Sequence, residues 1–223
     1  MAMEKFRASP LPIPTVNYDP QYMMQLIRVI ELYFRQLDSQ TPLQAEYFKG
    51  LGYQLTNPHI AASDSTDQRT TNNVATVVKW NTLDSGFGWT LNSPGSATAD
   101  YAGVYKITYS LQFVNTDNAQ HTAVCWLKVN NVDVANSSTS FSVPARKSAS
   151  IPGFVCGYSE VTFIVEVGDE VELYWAVDKA DVVSPSADGI YMFHDPAQTT
   201  PFARPAIPSA IGSITFVSAL PPS

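Results

Sequence analysis

Three histidines, two cysteines and four tryptophans are the side chains of this chain best suited to coordinate, attack or stack. His59, His121 and His194 lie far apart, and none forms the H-x-x-x-H or H-x-H spacing that presents two zinc ligands from one element. Calcium needs oxygen ligands in series. Asp64 and Asp67 in SDSTDQ, and Asp178 and Asp181 in DKAD, begin such a series, but neither continues into the loop with a central Gly and a closing Glu, so they read as solvated loop carboxylates. A nucleophile needs an activating base or a cationic neighbour. No G-x-S-x-G elbow occurs, and Cys125 stands among apolar residues. Paired acids for glycoside cleavage meet only in space, so the sequence neither places nor excludes them. With no Gly-rich phosphate loop, dinucleotide fingerprint or basic aromatic groove, no cofactor is expected, and the chain reads as a binder rather than an enzyme.

Trp80, Trp89, Trp126 and Trp175 bear on what it binds, because a Trp ring within reach of solvent can stack on a sugar. Trp126 and Trp175 fall inside regular strand patterns and are expected in the core or at a subunit contact. Trp89 lies in SGFGWTLN, whose glycines and polar neighbours suggest a turn, and it is the sugar-stacking candidate. The competing explanation is the general enrichment of aromatics in protein interfaces.

The elements that hold these residues are mostly strands. Hydrophobic residues make up 45% of the 223-residue chain and charged residues 15%, which favours pleated sheet over a charged helical bundle. The formal charge of -7 argues against nucleic acid, since phosphate binding needs clustered Lys and Arg. Cys125 and Cys156 each sit in an apolar run, so two buried reduced thiols are expected. The start MAMEKFRASPLPIP lacks the apolar stretch of a secretory signal, and no segment reaches the roughly 20 apolar residues of a membrane helix. Membrane insertion is not expected, and the chain reads as one made and kept soluble in a cytoplasm.

Strand signals recur from Thr70 onward: residues 74–80, 103–115, 122–130, 141–144, 153–167, 170–177 and 209–220. In GVYKITYSLQF, Tyr105, Ile107, Tyr109, Leu111 and Phe113 share one face while Lys106, Thr108, Ser110 and Gln112 share the other. That period of two marks an antiparallel strand with one buried face. Asn130 with Asn131, and Gly168 with Asp169, separate strand pairs at hairpin distance.

The N-terminal part is built differently. Pro10, Pro12 and Pro14 bias residues 1–18 towards an extended arm that can lie along a neighbour. Asp19 followed by Pro20 reads as a helix cap and first helical position, opening a helix over 20–37 within an anchoring segment 19–45. Met23, Leu26, Ile30, Tyr33 and Leu37 recur at spacings of three and four, a heptad seam, and Tyr22, Ile27, Val29, Leu32 and Phe34 make the other sides apolar too. Such a helix must pack against protein on more than one face, either its own sandwich or other chains. Residues 46–69, with Gly50, Gly52, Pro58 and SDSTDQ, read as a linker to a β-sandwich over 70–223.

The order GVYKITYSLQF, WLKVNNVDVANS, VEVGDEVELYW resembles the C1q/TNF-like jelly-roll, in which G-x-Y precedes a central strand and a G-D-x-V/I-x-L hairpin comes late. WLKVNNVDVANSS and ARPAIPSAI make it most similar to jelly-roll modules of tailed-bacteriophage virion structural proteins. PLPIPTVNYDPQYMMQLIRVIELYFRQL is similar to the start of short phage virion proteins. The resemblance spans roughly residues 10–45 and 70–220; its individual motifs are common, and their order and spacing carry it. It implies an all-β antiparallel jelly-roll sandwich of about ten strands, preceded by an arm and one α-helix and assembled as a homotrimer through aromatic and aliphatic faces. The chain has neither the collagen-like repeat nor the signal of secreted C1q relatives. The expected role is therefore a virion component held to a capsid or tail protein through residues 1–45, acting as head decoration or cement. The alternatives are a fibre tip that recognises host surface glycan through Trp89 or the loops 83–99 and 178–200, and a small polysaccharide-degrading enzyme.

Overall fold

The computed structural model describes residues 19–37, 57–183 and 186–220, leaving the side chains of Tyr33, Leu37 and a few others outside that description. The expected arm 1–18, the helix exit and residues 46–56 of the expected linker lie outside the described residues. Two compact units divide the chain, one of residues 1–55 with the last three residues and one of Thr56–Leu220.

In the first unit, α1 spans Pro20–Leu37, the range its cap signal predicts. Asp19 is the reason it starts there: its carboxylate accepts from the Gln21 amide at 2.8 Å and its carbonyl accepts from Met23, while Pro20 has no amide to leave unpaired.

The second unit is a sandwich of two antiparallel sheets. Its strands are β1 His59–Asp64, β2 Thr76–Val77, β3 Thr82–Phe87, β4 Trp89–Asn92, β5 Ser96–Ala99, β6 Gly103–Asn115, β7 His121–Val129 and β8 Val132–Asp133. They continue with β9 Thr139–Val143, β10 Gly153–Val165, β11 Glu170–Val177, β12 Val182–Val183, β13 Ser186–Ala187, β14 Ile190–Met192 and β15 Ala210–Ser218. One sheet runs β10-β6-β15-β1-β3, with β14 also on β6; the other runs β4-β5-β11-β7-β8, with β2 on β11 and β9 on β7. From β9 to β10, to β11 and to β15 the chain crosses from one sheet to the other and back, which is the jelly-roll path. The two longest strands, β6 and β10, pair in unbroken register from Gly103↔Val165 to Asn115↔Gly153.

The alternation in β6 orients both sheets. Tyr105, Ile107, Tyr109, Leu111 and Phe113 are buried and face Ala123, Cys125, Leu127, Leu173 and Trp175 across the sandwich. Between the sheets, Ile60, Trp80, Leu91, Ile107, Leu173 and Gly212 line a gap of about 30 Å³. That is room for a water or two and far below the roughly 300 Å³ of a small-molecule site, so this gap is a packing defect.

Tight turns lie where the sequence puts them. Asn130 and Asn131 take φ of 51° and 64°, the pair of positive values a two-residue hairpin needs, and Gly168 takes 86°.

Three expectations change. The sandwich begins with β1, inside the segment read as linker: HIAASD has little β-branched content and becomes a strand because β15 and β3 flank it. Cys125 is buried, whereas Cys156 is exposed on the outward side of β10. The loop carboxylates are also not all solvated. Asp64 is 2% exposed with its carboxylate on the Thr66 amide, and Asp181 is paired with Arg69 and accepts from the Thr116 hydroxyl at 2.7 Å.

Candidate functional site

The interior gap is too small for a ligand, which leaves the faces the fold presents. They differ sharply. Among the described residues, the large apolar side chains left exposed on sheet strands are Leu83 and Phe87 on β3, Phe154, Tyr158 and Ile164 on β10, Ile211 and Val217 on β15, and Val132 on β8. Only the last belongs to the seven-stranded sheet. The other seven are 42–61% exposed, and all but Leu83, which stands opposite inward-facing Ala62, lie on the outward side of the six-stranded sheet. Each forgoes on the order of 1 kcal/mol of burial, about half the value of a fully buried side chain.

Strand β10 is the edge of the six-stranded sheet, and its outward row reads Phe154, Cys156, Tyr158, Glu160, Thr162, Ile164. The polar members engage β6 beside them: Cys156 Sγ lies 3.1 Å from the Ser110 hydroxyl, and Lys106 pairs with Glu160 at 3.5 Å. The aromatic and aliphatic members have solvent in front of them. Phe154 meets Phe193 edge-on at 6.1 Å, and Phe193 meets Tyr191 in the same way at 6.2 Å, so the apolar row widens towards β14.

The outward face of the seven-stranded sheet carries a small polar and aromatic cluster. Trp126 on β7 stands opposite Tyr174 on β11 in register, with ring centroids 6.0 Å apart and planes 32° apart. The Trp126 indole donates to Asp133 Oδ1 at 2.8 Å. Lys128 Nζ lies 3.3 Å from the same carboxylate oxygen and 4.8 Å from the centre of the Tyr174 ring. Glu172 follows on the same face of β11; burial, and then Glu170, push its carboxyl above the usual range.

The residues singled out from the sequence fall into separate places. Met23 and Ile30 are 38% and 41% exposed and Leu26 is half-buried, so the described part of the seam presents apolar surface on α1, as Met24, Ile27 and Phe34 do on its other sides. The side chains of Tyr33 and Leu37 lie outside the described residues. Trp89, expected in a loop, starts β4 and is 6% exposed, with its ring edge-on against Tyr105 at 5.1 Å. The sugar-stacking role assigned to it is corrected: β4 pairs with β5 and turns the indole into the core, where no sugar ring reaches. Trp175 is core, as its strand pattern implied. Trp126 shares that pattern but points the other way. The signal that separates them is parity: Trp175 pairs with inward Cys125, which leaves Tyr174 and Trp126 on the opposite side.

The histidines also scatter. His121 lies between carboxylates at one end of the sandwich, with Nε2 2.8 Å from Asp117 Oδ2 and Nδ1 3.5 Å from Asp178 Oδ1, while His59 and His194 bond backbone carbonyls.

No family model matches this chain, and no curated protein matches it. Among solved structures it is similar to an Eiger TNF from S. frugiperda, at 14% identity and a TM-score of 0.44, over 74% of this chain and 98% of that one. The jelly-roll itself follows from the strand order described above.

Proposed function

We propose that this protein is a non-enzymatic structural component of a tailed-bacteriophage virion. In this reading three sandwiches assemble through the outward face of the six-stranded sheet, and the N-terminal region attaches them to the particle as a capsid decoration or cement. The observation that carries the assembly is the concentration of exposed aromatic and aliphatic side chains on the outward side of β10, β15 and β3, against a single one on the opposite sheet among the described residues. A patch of that kind on one face marks a protein contact, and closed rings of identical subunits are the common way to cover it. The heptad seam of α1 fits the same symmetry, since three copies of Met23, Leu26 and Ile30 can close on one axis.

Attachment to a phage particle is supported by the resemblance of residues 10–45 and 70–220 to phage virion modules. Three linked weak contacts act together as one strong attachment, so the N-terminal region needs only modest affinity per copy. The absence of a nucleophile elbow and of paired metal ligands in the sequence supports a non-enzymatic role. The fibre-tip alternative loses Trp89 and rests on its other segment, residues 178–200.

Light scattering on the full chain at micromolar concentration is expected to give three times the 24.4 kDa chain mass; a stable monomer refutes the assembly. Electron microscopy of particles carrying labelled protein is expected to place the label on the head. Label on the tail sinks the decoration role, and release of reducing sugar from host capsule by the purified protein sinks the non-enzymatic one.

A further inference from the structure

We propose that His121 is a proton-operated strap at the end of the sandwich where β6 turns into β7. With both ring nitrogens protonated it holds the β6–β7 turn and the segment after β11 together; neutral, it lets go of the second. The inference goes beyond the virion reading and does not depend on it.

Geometry carries the proposal. His121 opens β7 with each ring nitrogen facing a carboxylate oxygen, Nε2 at 2.8 Å from Asp117 Oδ2 and Nδ1 at 3.5 Å from Asp178 Oδ1. Both carboxylates are pinned from behind. The Asn118 amide donates to Asp117 Oδ1 at 2.6 Å, and the Thr122 amide donates to Asp178 Oδ1 at 3.0 Å. A neutral imidazole has a single N–H, so between two fixed acceptors it satisfies one and turns a nitrogen lone pair towards the other. An imidazolium has two N–H groups and satisfies both. The Asp178 contact is the longer of the two, and its side chain is 50% exposed against 20% for Asp117, so Asp178 is the partner the neutral ring gives up.

The charges around the ring come from three elements. Among the described residues, the β6–β7 turn brings Asp117, and the segment after β11 brings Asp178 together with Lys179, whose charge acts on Asp117. On β9, uncharged Val143 stands opposite His121, and Arg146 beyond it is paired with Asp188 at 2.9 Å. Two carboxylates against one ammonium leave the site with a net negative charge that a second proton on the ring offsets.

The strap acts on a short stretch of chain. The Asp178 amide donates to the Thr122 carbonyl at 3.2 Å while the Asp178 carboxylate accepts from the Thr122 amide, so the exit of β11 closes onto the start of β7 through this residue. Three residues on, Asp181 is held separately, by Arg69 and by the Thr116 hydroxyl at 2.7 Å. Release of Asp178 therefore loosens the exit of β11 and leaves the core closed.

The test is residue-resolved hydrogen exchange on the full chain at about pH 5.5 and about pH 8.5, either side of the range in which an imidazole takes its second proton, corrected for intrinsic exchange. The Thr122 and Asp178 amides are expected to be about two- to fivefold better protected at the lower pH, the weight of a partly exposed ion pair. The Gln112 amide, which donates to the Ser209 carbonyl on another part of the sandwich, is expected to show no such change. In His121→Gln the difference is expected to vanish although His59 and His194 remain. Asp178→Asn, which keeps the imidazole and its Asp117 contact, is expected to abolish it at Thr122 as well, and serves alone if His121→Gln does not fold. Equal protection of Thr122 and Asp178 at the two pH values in the native chain overturns the proposal, as does a pH difference that persists in either variant. A ring that keeps one N–H throughout, read from its nitrogen chemical shifts, overturns it too.

Discussion

At the scale of single residues, His121 and its two carboxylates show how one end of the sandwich is tied. Asp117 in the β6–β7 turn and Asp178 after β11 are both drawn to the imidazole, and the Thr122 amide donates to Asp178 at 3.0 Å. The hydrogen bond from His121 holds the Asp117 carboxyl below its usual range against the opposing effect of burial, with the Asn118 amide and Lys179 acting in the same direction as His121. A carboxyl whose pKa is lower folded than unfolded stabilises the fold above its unfolded value, about 3.9, and loses that contribution as pH falls through the folded value. Asp117→Asn is therefore expected to be less stable than the native chain near neutrality and to converge with it in acid. Urea midpoints from about pH 5 down to about pH 2 check this. A stability gap that stays constant over that range refutes it.

At the scale of elements, β10 is the strand on which the proposed assembly rests. Its register on β6 turns Phe154, Cys156, Tyr158 and Ile164 outward together, and its other edge has no strand on it among the described residues. An edge strand with such a row invites association unless a partner covers it. Tyr158→Lys puts a charge into the middle of the row without touching the core. It is expected to leave the circular dichroism of the sandwich intact and to shift the scattering mass towards a single chain. Cys156 reports the same event chemically. Burial pushes the Cys125 thiol far up, so it stays inert in the folded protein, whereas Cys156 is exposed on the proposed contact face. One thiol per chain is expected to react with a disulfide reagent in the native fold, slowly in the assembled protein and faster in Tyr158→Lys. Equal rates in the two would argue that this face is not covered.

At the scale of the whole molecule, the chain divides between Leu55 and Thr56, and the sandwich contains its own core. Deleting residues 1–45 is expected to leave a cooperatively melting β-sandwich that no longer attaches to particles. Thermal melts followed by circular dichroism test the first half and co-sedimentation with particles the second. A truncated chain that still co-sediments refutes the assignment of attachment to the N-terminal region.

The sequence by itself determined the helix, the long strands and the tight turns. Asp19-Pro20 placed the start of α1, the period of two in GVYKITYSLQF placed β6, and Asn130-Asn131 and Gly168 placed their turns, because caps, alternation and positive φ are local requirements. Only the tertiary structure decided what the short strands do. β1, β3, β4 and β5 are poor in β-branched runs and take their form from the strands beside them, which moved the start of the sandwich to His59 and carried Trp89 into the core. It also decided which side of each strand meets water. Period alone divides a strand into two faces without naming the inner one, so Trp126 and Trp175, alike in sequence context, part company once β7 and β11 are paired.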